Sequence, residues 1–167
     1  MRNIVLMGFM GTGKTTVGKR LADRLGLTFV DMDKVIEQRA RKPIPRIFAE
    51  DGEPAFRVME RNLAHELSRT ADQVIACGGG VVLNPDNVTD YGATGLVVCL
   101  NATPDIIFKR TAKDRNRPLL EEQDRMRRIL ELLEKRRALY AAIPCQVDTS
   151  DRPIEAIVND ILAAYQP

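Results

Sequence analysis

The stretch Gly8-Phe9-Met10-Gly11-Thr12-Gly13-Lys14-Thr15 fits G-x-x-x-x-G-K-[ST], follows the apolar run Ile4-Val5-Leu6-Met7, and opens an amphipathic segment ending near Gly26. Glycines let the backbone turn where a Cβ would clash, so successive N–H groups face inward around a phosphate. The helix that follows adds its free N–H groups and its dipole. In such a P-loop, Lys14 reaches the β- and γ-phosphates and the Thr15 hydroxyl holds Mg²⁺. Gly11, Thr12, Gly13, Lys14, Thr15 and Thr16 are therefore assigned to nucleotide binding. At average composition the four fixed positions arise by chance in roughly one chain of this length in two hundred.

Other residues could carry chemistry beside a phosphate site. Asp31 and Asp33 end a short apolar run, and period-2 alternation is expected to send both carboxylates to one side. One of them can orient Mg²⁺, and the other can act as base toward a substrate hydroxyl. Gly78-Gly79-Gly80 ends another apolar run. Three glycines together cost conformational entropy, so something is expected to approach that backbone closely. Lys109, Arg110, Lys113, Arg115 and Arg117, next to Pro118, form a basic segment between two helical stretches. That suggests a lid over phosphates, although such runs are also ordinary solvated faces. Arg57 and Arg136 could grip a carboxylate as a bidentate clamp; from spacing alone, surface ion pairing is the more common use of such residues. His65, the single histidine, has no partner in sequence and reads as structural.

These groups need elements to position them. Strands are expected at 3–7, 27–30, 73–77, 96–100 and 146–148, alternating with helices at 14–24, 34–41, 47–51, 54–70, 85–91, 104–112, 122–140 and 153–165. Pro43 and Pro45 are expected to break the chain ahead of Ile47. On 54–70, Phe56, Met59, Leu63 and Leu67 form one stripe, with Arg57, Glu60 and Arg61 to one side. On 122–140, Met126, Ile129, Leu130, Leu133 and Leu139 are expected to face inward. The alternation implies α/β architecture, a parallel sheet with helices on both faces and ligands bound at the C-terminal strand ends.

The 167 residues suit one domain. With 25 Lys+Arg against 23 Asp+Glu the net charge is only +2, which gives no global field for nucleic acid or an anionic membrane. No aromatic residues interleave with the basic run to stack bases. Cys77, Cys99 and Cys145 are far apart and suggest reduced, buried thiols. No signal peptide or membrane-spanning run is recognised, so a cytoplasmic location is expected. A GTPase would carry N-K-x-D and an ABC-type ATPase L-S-G-G-Q; neither occurs.

Taken together, the chain resembles the shikimate kinase family, which belongs to the nucleoside monophosphate kinase-like P-loop proteins. The resemblance rests on Met10-Gly11-Thr12 in the P-loop, Asp31-Met32-Asp33, and Ile47-Phe48 followed by Gly52-Glu53-x-x-Phe56-Arg57-x-x-Glu60. Gly78-Gly79-Gly80, Arg117-Pro118-Leu119-Leu120 and Arg136 ahead of Leu139-Tyr140 complete it. It implies a single domain with a three-layer αβα P-loop fold, a five-stranded parallel sheet, a substrate-binding helical subdomain at about 32–62 and a mobile lid at about 112–124. It also implies ATP- and Mg²⁺-dependent phosphorylation of the shikimate 3-hydroxyl on the route to chorismate and aromatic amino acids.

Carried over by position, Asp33, Arg57, Gly79, Gly80 and Arg136 would hold shikimate, with Arg57 and Arg136 on its carboxylate and Phe48 and Phe56 as apolar floor. Asp33 would be the base, with Lys14 and Arg117 acting on the phosphates. Thr15 and Asp31 would organise Mg²⁺, and Arg110 with Arg152 and Pro153 would flank adenine. The partners implied are shikimate and ATP alone, and a monomer is expected. Arg41 stands where the family often has glycine, and a gluconate or nucleoside monophosphate kinase is the nearest rival.

Overall fold

Alternation along one strand decides the layering. The computed structural model describes residues 1–112 and 124–165, and in it β1 (Asn3–Met7) is buried along its whole length. Ile4 and Leu6 join a cluster with Val17, Leu21, Val158 and Ile161, whereas Val5 and Met7 join one with Phe56, Leu63, Tyr91 and Ile129. A strand that is apolar on both sides must be covered on both, which produces three layers.

β1 is the middle of five parallel strands. With β2 (Thr28–Asp31), β3 (Gln73–Ala76), β4 (Gly95–Asn101) and β5 (Cys145–Asp148) it forms a sheet of order β2-β3-β1-β4-β5. The register sets Val5 against Ile75 on one side and Val97 on the other. The expected α/β, three-layer αβα arrangement therefore forms. Strand order reverses around β1, so the crevice beyond its C-terminal end is the position where an open α/β sheet binds ligands.

On one face, α1 (Lys14–Leu25) and α8 (Ile154–Ala164) pack together. Gly18 lets α1 lie close to the sheet, since a Cβ there would come within 2.6 Å of the Phe29 ring and 3.3 Å of Leu6. The other face is covered by α4 (Glu53–Leu67), α5 (Pro85–Thr94), α6 (Pro104–Thr111) and α7 (Arg125–Ala141). Between β2 and α4 lie α2 (Met32–Ala40) and α3 (Ile44–Glu50). Among the described residues no helix is long and apolar enough to cross a membrane.

Two expectations need correction, and one element is additional. First, α3 begins at Ile44, three residues before the expected start, with Pro43 as its N-cap and Pro45 in its first turn. Proline lacks the N–H that a first turn leaves unpaired anyway, so it starts this helix rather than breaking the chain. Second, Leu130 and Leu139 do not face inward: they are 49% and 38% exposed. The buried residues of α7 are Ile129, Leu132, Arg136 and Tyr140. A buried arginine interrupts the apolar pattern: Ile129 and Leu133 pack on the core as expected, whereas Leu130 and Leu139 each lie one residue, about 100° around the helix, from a buried neighbour. The additional element, a one-turn 3₁₀ helix, Val81–Leu83, follows the glycine run.

Arg41 ends α2 in the left-handed conformation, φ 56°, with its N–H bonded to the Glu37 carbonyl. That geometry suits glycine at a helix C-terminus, and a side chain there costs on the order of 1 kcal/mol. The substitution Arg41→Gly should leave the fold intact and raise stability by about 0.5–1 kcal/mol after the added chain entropy of glycine. Urea unfolding monitored by circular dichroism would measure it; lower stability in the variant would contradict the strain.

Candidate active site

The loop after β1 turns through three glycines with positive φ: Gly8 at 141°, Gly11 at 77° and Gly13 at 96°. At Gly8 a Cβ would lie 2.3 Å from the Leu100 carbonyl oxygen, so only glycine lets the loop leave the sheet there. Lys14 folds back over the loop, its Nζ donating to the carbonyls of Gly8 at 2.8 Å and Phe9 at 2.9 Å. The ammonium thereby sits over the concave side of the loop, where an anion would dock.

A cleft of about 500 Å³ opens above the strand ends, lined among others by Lys14, Thr15, Asp31, Asp33, Gly79 and Arg110. Gly11, Gly13 and Thr16 line it too, whereas Thr12 is 1% exposed beneath the loop. Asp31 and Asp33 share this cleft for a different reason than strand alternation. β2 ends at Asp31, which caps α2 by accepting from the Lys34 N–H, and Asp33 already lies in the first helical turn. The Thr15 hydroxyl donates to Asp31 Oδ2 at 3.4 Å. This pair of hard oxygens on the phosphate side of the cleft matches the donor chemistry of Mg²⁺.

On the outer side of the loop, Thr149 acts as a post. Its hydroxyl donates to the Thr12 carbonyl at 2.7 Å, and its N–H donates to the Asn101 carbonyl at 2.8 Å. Arg110 donates to the Thr149 hydroxyl at 3.1 Å, the Thr149 carbonyl at 2.9 Å and the Gly11 carbonyl at 3.2 Å. Arg152 donates to the Asp148 carbonyl at 2.9 Å and to Asp160 at 2.7 Å. Arg110 and Arg152 thus both pack on the β5–α8 connection, where Pro153 caps α8. Arg117 lies outside the described residues, as does nearly all of the expected lid.

The glycine run carries the opposite wall. A Cβ on Gly78 would fall 2.8 Å from Asp33 Oδ1 and 3.0 Å from Glu60 Oε2. On Gly79 it would lie 3.6 Å from Arg136 Nη1, and on Gly80 only 2.2 Å from Arg57 Nη1. Gly78 and Gly80 therefore make room for charged groups, whereas a Cβ on Gly79 would meet Arg136 at ordinary contact distance. Arg57 donates to Glu60 Oε1 at 2.9 Å and to Glu53 Oε1 at 3.1 Å, and it stacks on Phe56 with its guanidinium carbon 5.2 Å from the ring centre. Phe48 meets Phe56 with ring centres 5.0 Å apart.

Arg57, Glu60 and Gly80 also line a second cavity of about 320 Å³. Among the described residues, Arg57 Nε, Glu60 Oε2 and Arg136 Nη1 are buried without a hydrogen-bond partner. Unsatisfied buried polar atoms are costly, and three around one turn mark a place built for a polar ligand.

Glu60, expected to one side of the apolar stripe and otherwise noticed only as part of the resemblance, is buried at 2% exposed. Its place three residues after Arg57 on one helix was the available signal. Thr149 had none, since its hydroxyl bonds to the carbonyl of a residue 137 positions away. His65 is structural as expected, its Nδ1 lying 3.1 Å from Asp90 Oδ2 and so linking α4 to α5.

A model of the shikimate kinase family matches residues 10–166. The chain belongs to the shikimate kinase family. Shikimate kinase of Caldanaerobacter subterraneus subsp. tengcongensis is 44% identical over 165 residues, covering 99% of this chain and 96% of that protein. The shikimate kinase of Thermosynechococcus vestitus is 48% identical over 162 residues, covering 96% of this chain and 87% of that protein. Among solved structures, a shikimate kinase from Acinetobacter baumannii in complex with shikimate aligns with TM-score 0.94 at 35% identity, over 98% of this chain and 92% of that one. A gluconokinase from Sinorhizobium meliloti 1021 shares the fold, with TM-score 0.61 at 20% identity over 97% of this chain and 90% of that one. Family membership makes this chain an enzyme.

Burial raises the affinity of Glu60 for its proton, and the nearby Asp33 charge adds to this, against the opposing pull of Arg57 and Arg136. A carboxyl whose folded pKa is raised holds more protons in the native than in the unfolded state across the window between the two values. Stability from this group is therefore present below the ordinary glutamate range and lost as pH rises through that window. Relative to Glu60→Gln, the wild type should lose stability as pH increases from about 4.5 upward, the reference value for glutamate. Paired unfolding curves across pH test this; a difference that is flat or rises with pH would refute it.

Proposed function

We propose that this enzyme moves the γ-phosphoryl group of ATP to the 3-hydroxyl of shikimate, giving shikimate 3-phosphate and ADP on the route to chorismate and aromatic amino acids. One observation carries the reading. Lys14 of the P-loop and Asp33 line the same cleft, and Gly79 in its wall adjoins the buried guanidinium of Arg136. Phosphate chemistry and carboxylate recognition therefore meet around one turn.

Phosphoryl transfer asks the protein for placement and charge stabilisation rather than covalent chemistry. The loop N–H groups from Gly11 to Thr16 hold the phosphates, and Lys14 neutralises charge that builds on the transferred group. Thr15 and Asp31 hold Mg²⁺, which when bound screens the phosphate oxygens. Arg57 and Arg136 bind the carboxylate of the acid, Phe48 and Phe56 lie under its ring, and Gly79 and Gly80 offer backbone.

Asp33 takes the proton of the 3-hydroxyl as that oxygen forms its bond to phosphorus and the bond to the β-phosphate oxygen breaks. The helical segment 32–62 serves as substrate subdomain, Arg110 with Arg152 and Pro153 borders the adenine, and the segment around Arg117 supplies the lid. The enzyme works as a cytoplasmic monomer on two small molecules, with a net charge of +2 too small to recruit nucleic acid.

Coupled ADP-release assays should show turnover with shikimate and none above background with gluconate or a nucleoside monophosphate. ATP turnover that ignores shikimate would refute the assignment. The variant Asp33→Asn should lower kcat by at least about 10²-fold while leaving ATP affinity nearly unchanged; wild-type turnover would remove Asp33 as base. Replacing the ammonium in Lys14→Met should cost on the order of 10²-fold or more in kcat, and a smaller loss would shift charge stabilisation to other groups.

A further inference from the structure

Tyr140 has no part in the chemistry above, yet it sits where the two halves of the carboxylate site join. It is 6% exposed, and its hydroxyl donates to the Gly79 carbonyl at 2.5 Å. Arg136 lies four residues earlier, one helical turn away on the same buried face of α7. A phenol at this depth needs a partner. Simple satisfaction, however, does not require a glycine carbonyl in the ligand-facing turn.

The first consequence concerns the peptide between Gly79 and Gly80. Neither residue has a side chain to wedge that peptide in place, so its rotation is limited mainly by hydrogen bonds. In a trans peptide the carbonyl and the following N–H point in opposite directions. Holding the Gly79 carbonyl on Tyr140 therefore turns the Gly80 N–H away from α7.

The second concerns the guanidinium. Arg136 is 3% exposed, its central carbon lies 5.9 Å from the centre of the Phe9 ring, and among the described residues its Nη1 is buried without a hydrogen-bond partner. A guanidinium has five N–H groups in a fixed plane. A Cβ on Gly79 would lie 3.6 Å from that Nη1, so the peptide that Tyr140 holds is the backbone beside the unpartnered N–H group. Burial pushes the Tyr140 hydroxyl up to about 12, so it remains a proton donor to Gly79 throughout the working pH range.

We infer that Tyr140 is a positioning residue for the carboxylic acid substrate: it sets the plane of the Gly79–Gly80 peptide beside the Arg136 guanidinium, so that the backbone and the guanidinium serve one ligand. It does not touch the substrate. The inference rests on the reading of Arg136 as a carboxylate ligand.

The test uses the full chain and separates positioning from packing. Tyr140→Phe keeps the ring and removes only the hydroxyl. It should raise KM for shikimate about fivefold, the size expected for losing one neutral hydrogen bond, while KM for ATP stays within about twofold and the circular dichroism spectrum is retained. Arg136→Ala should raise KM for shikimate on its own. In the double variant the combined fold-change should fall short of the product of the two, because both act on recognition of one ligand.

An unchanged shikimate KM in Tyr140→Phe, equal losses for both substrates, or fully multiplicative effects would overturn the inference while leaving Arg136 as ligand. An unchanged shikimate KM in Arg136→Ala would overturn the carboxylate reading and this inference with it.

Discussion

Two carboxylates and two guanidiniums are packed against a turn that has no side chains of its own, and this exclusion of Cβ atoms is the constraint on which the site depends. Asp33 and Glu60 crowd the position where a side chain of Gly78 would begin and Arg57 that of Gly80, while Arg136 comes within contact distance at Gly79. Buried charges such as Glu60 and Arg136 are tolerated only when they face opposite charges or a polar ligand. Among the described residues, Arg57 Nε, Glu60 Oε2 and Arg136 Nη1 have no hydrogen-bond partner. A ligand that bears both hydroxyls and a carboxylate would supply what is missing, which ties the packing of α4 and α7 directly to substrate class.

The nucleotide side is built on another principle. There the backbone makes the contacts, and side chains serve to hold the backbone. Thr149 and Arg110 together engage the carbonyls of Gly11, Thr12 and Asn101. By occupying the outward-facing carbonyls, this bracing stabilises the loop in a shape whose N–H groups face the other way. The loop is thus fastened to the ends of β4 and β5.

Much of this was legible in the sequence, for identifiable reasons. The P-loop signature and the alternation of short apolar runs with helical stripes follow local rules, and the sheet and the nucleotide cleft came with them. The pair Asp31 and Asp33 was correctly placed in the cleft but by the wrong geometry, since a helix begins at Met32. On α7 the inward face was misassigned because Arg136 breaks the apolar stripe; periodicity treats a buried charge as noise. Thr149 and Tyr140 were not seen as site residues at all. Their importance comes from partners far away in the chain, the Thr12 carbonyl and the Gly79 carbonyl, and no spacing rule reports such contacts. The roles given to Arg57 and Arg136 needed the family resemblance, because spacing alone left them equivalent to surface residues.

The resting position of Lys14 has a thermodynamic corollary. Its ammonium, half-buried in the cleft wall, is held by two carbonyls of its own loop. A polyphosphate arriving there would exchange those internal acceptors for its own oxygens, so part of the cation's loss of water would precede binding. Departure of the diphosphate would return the ammonium to the same two carbonyls.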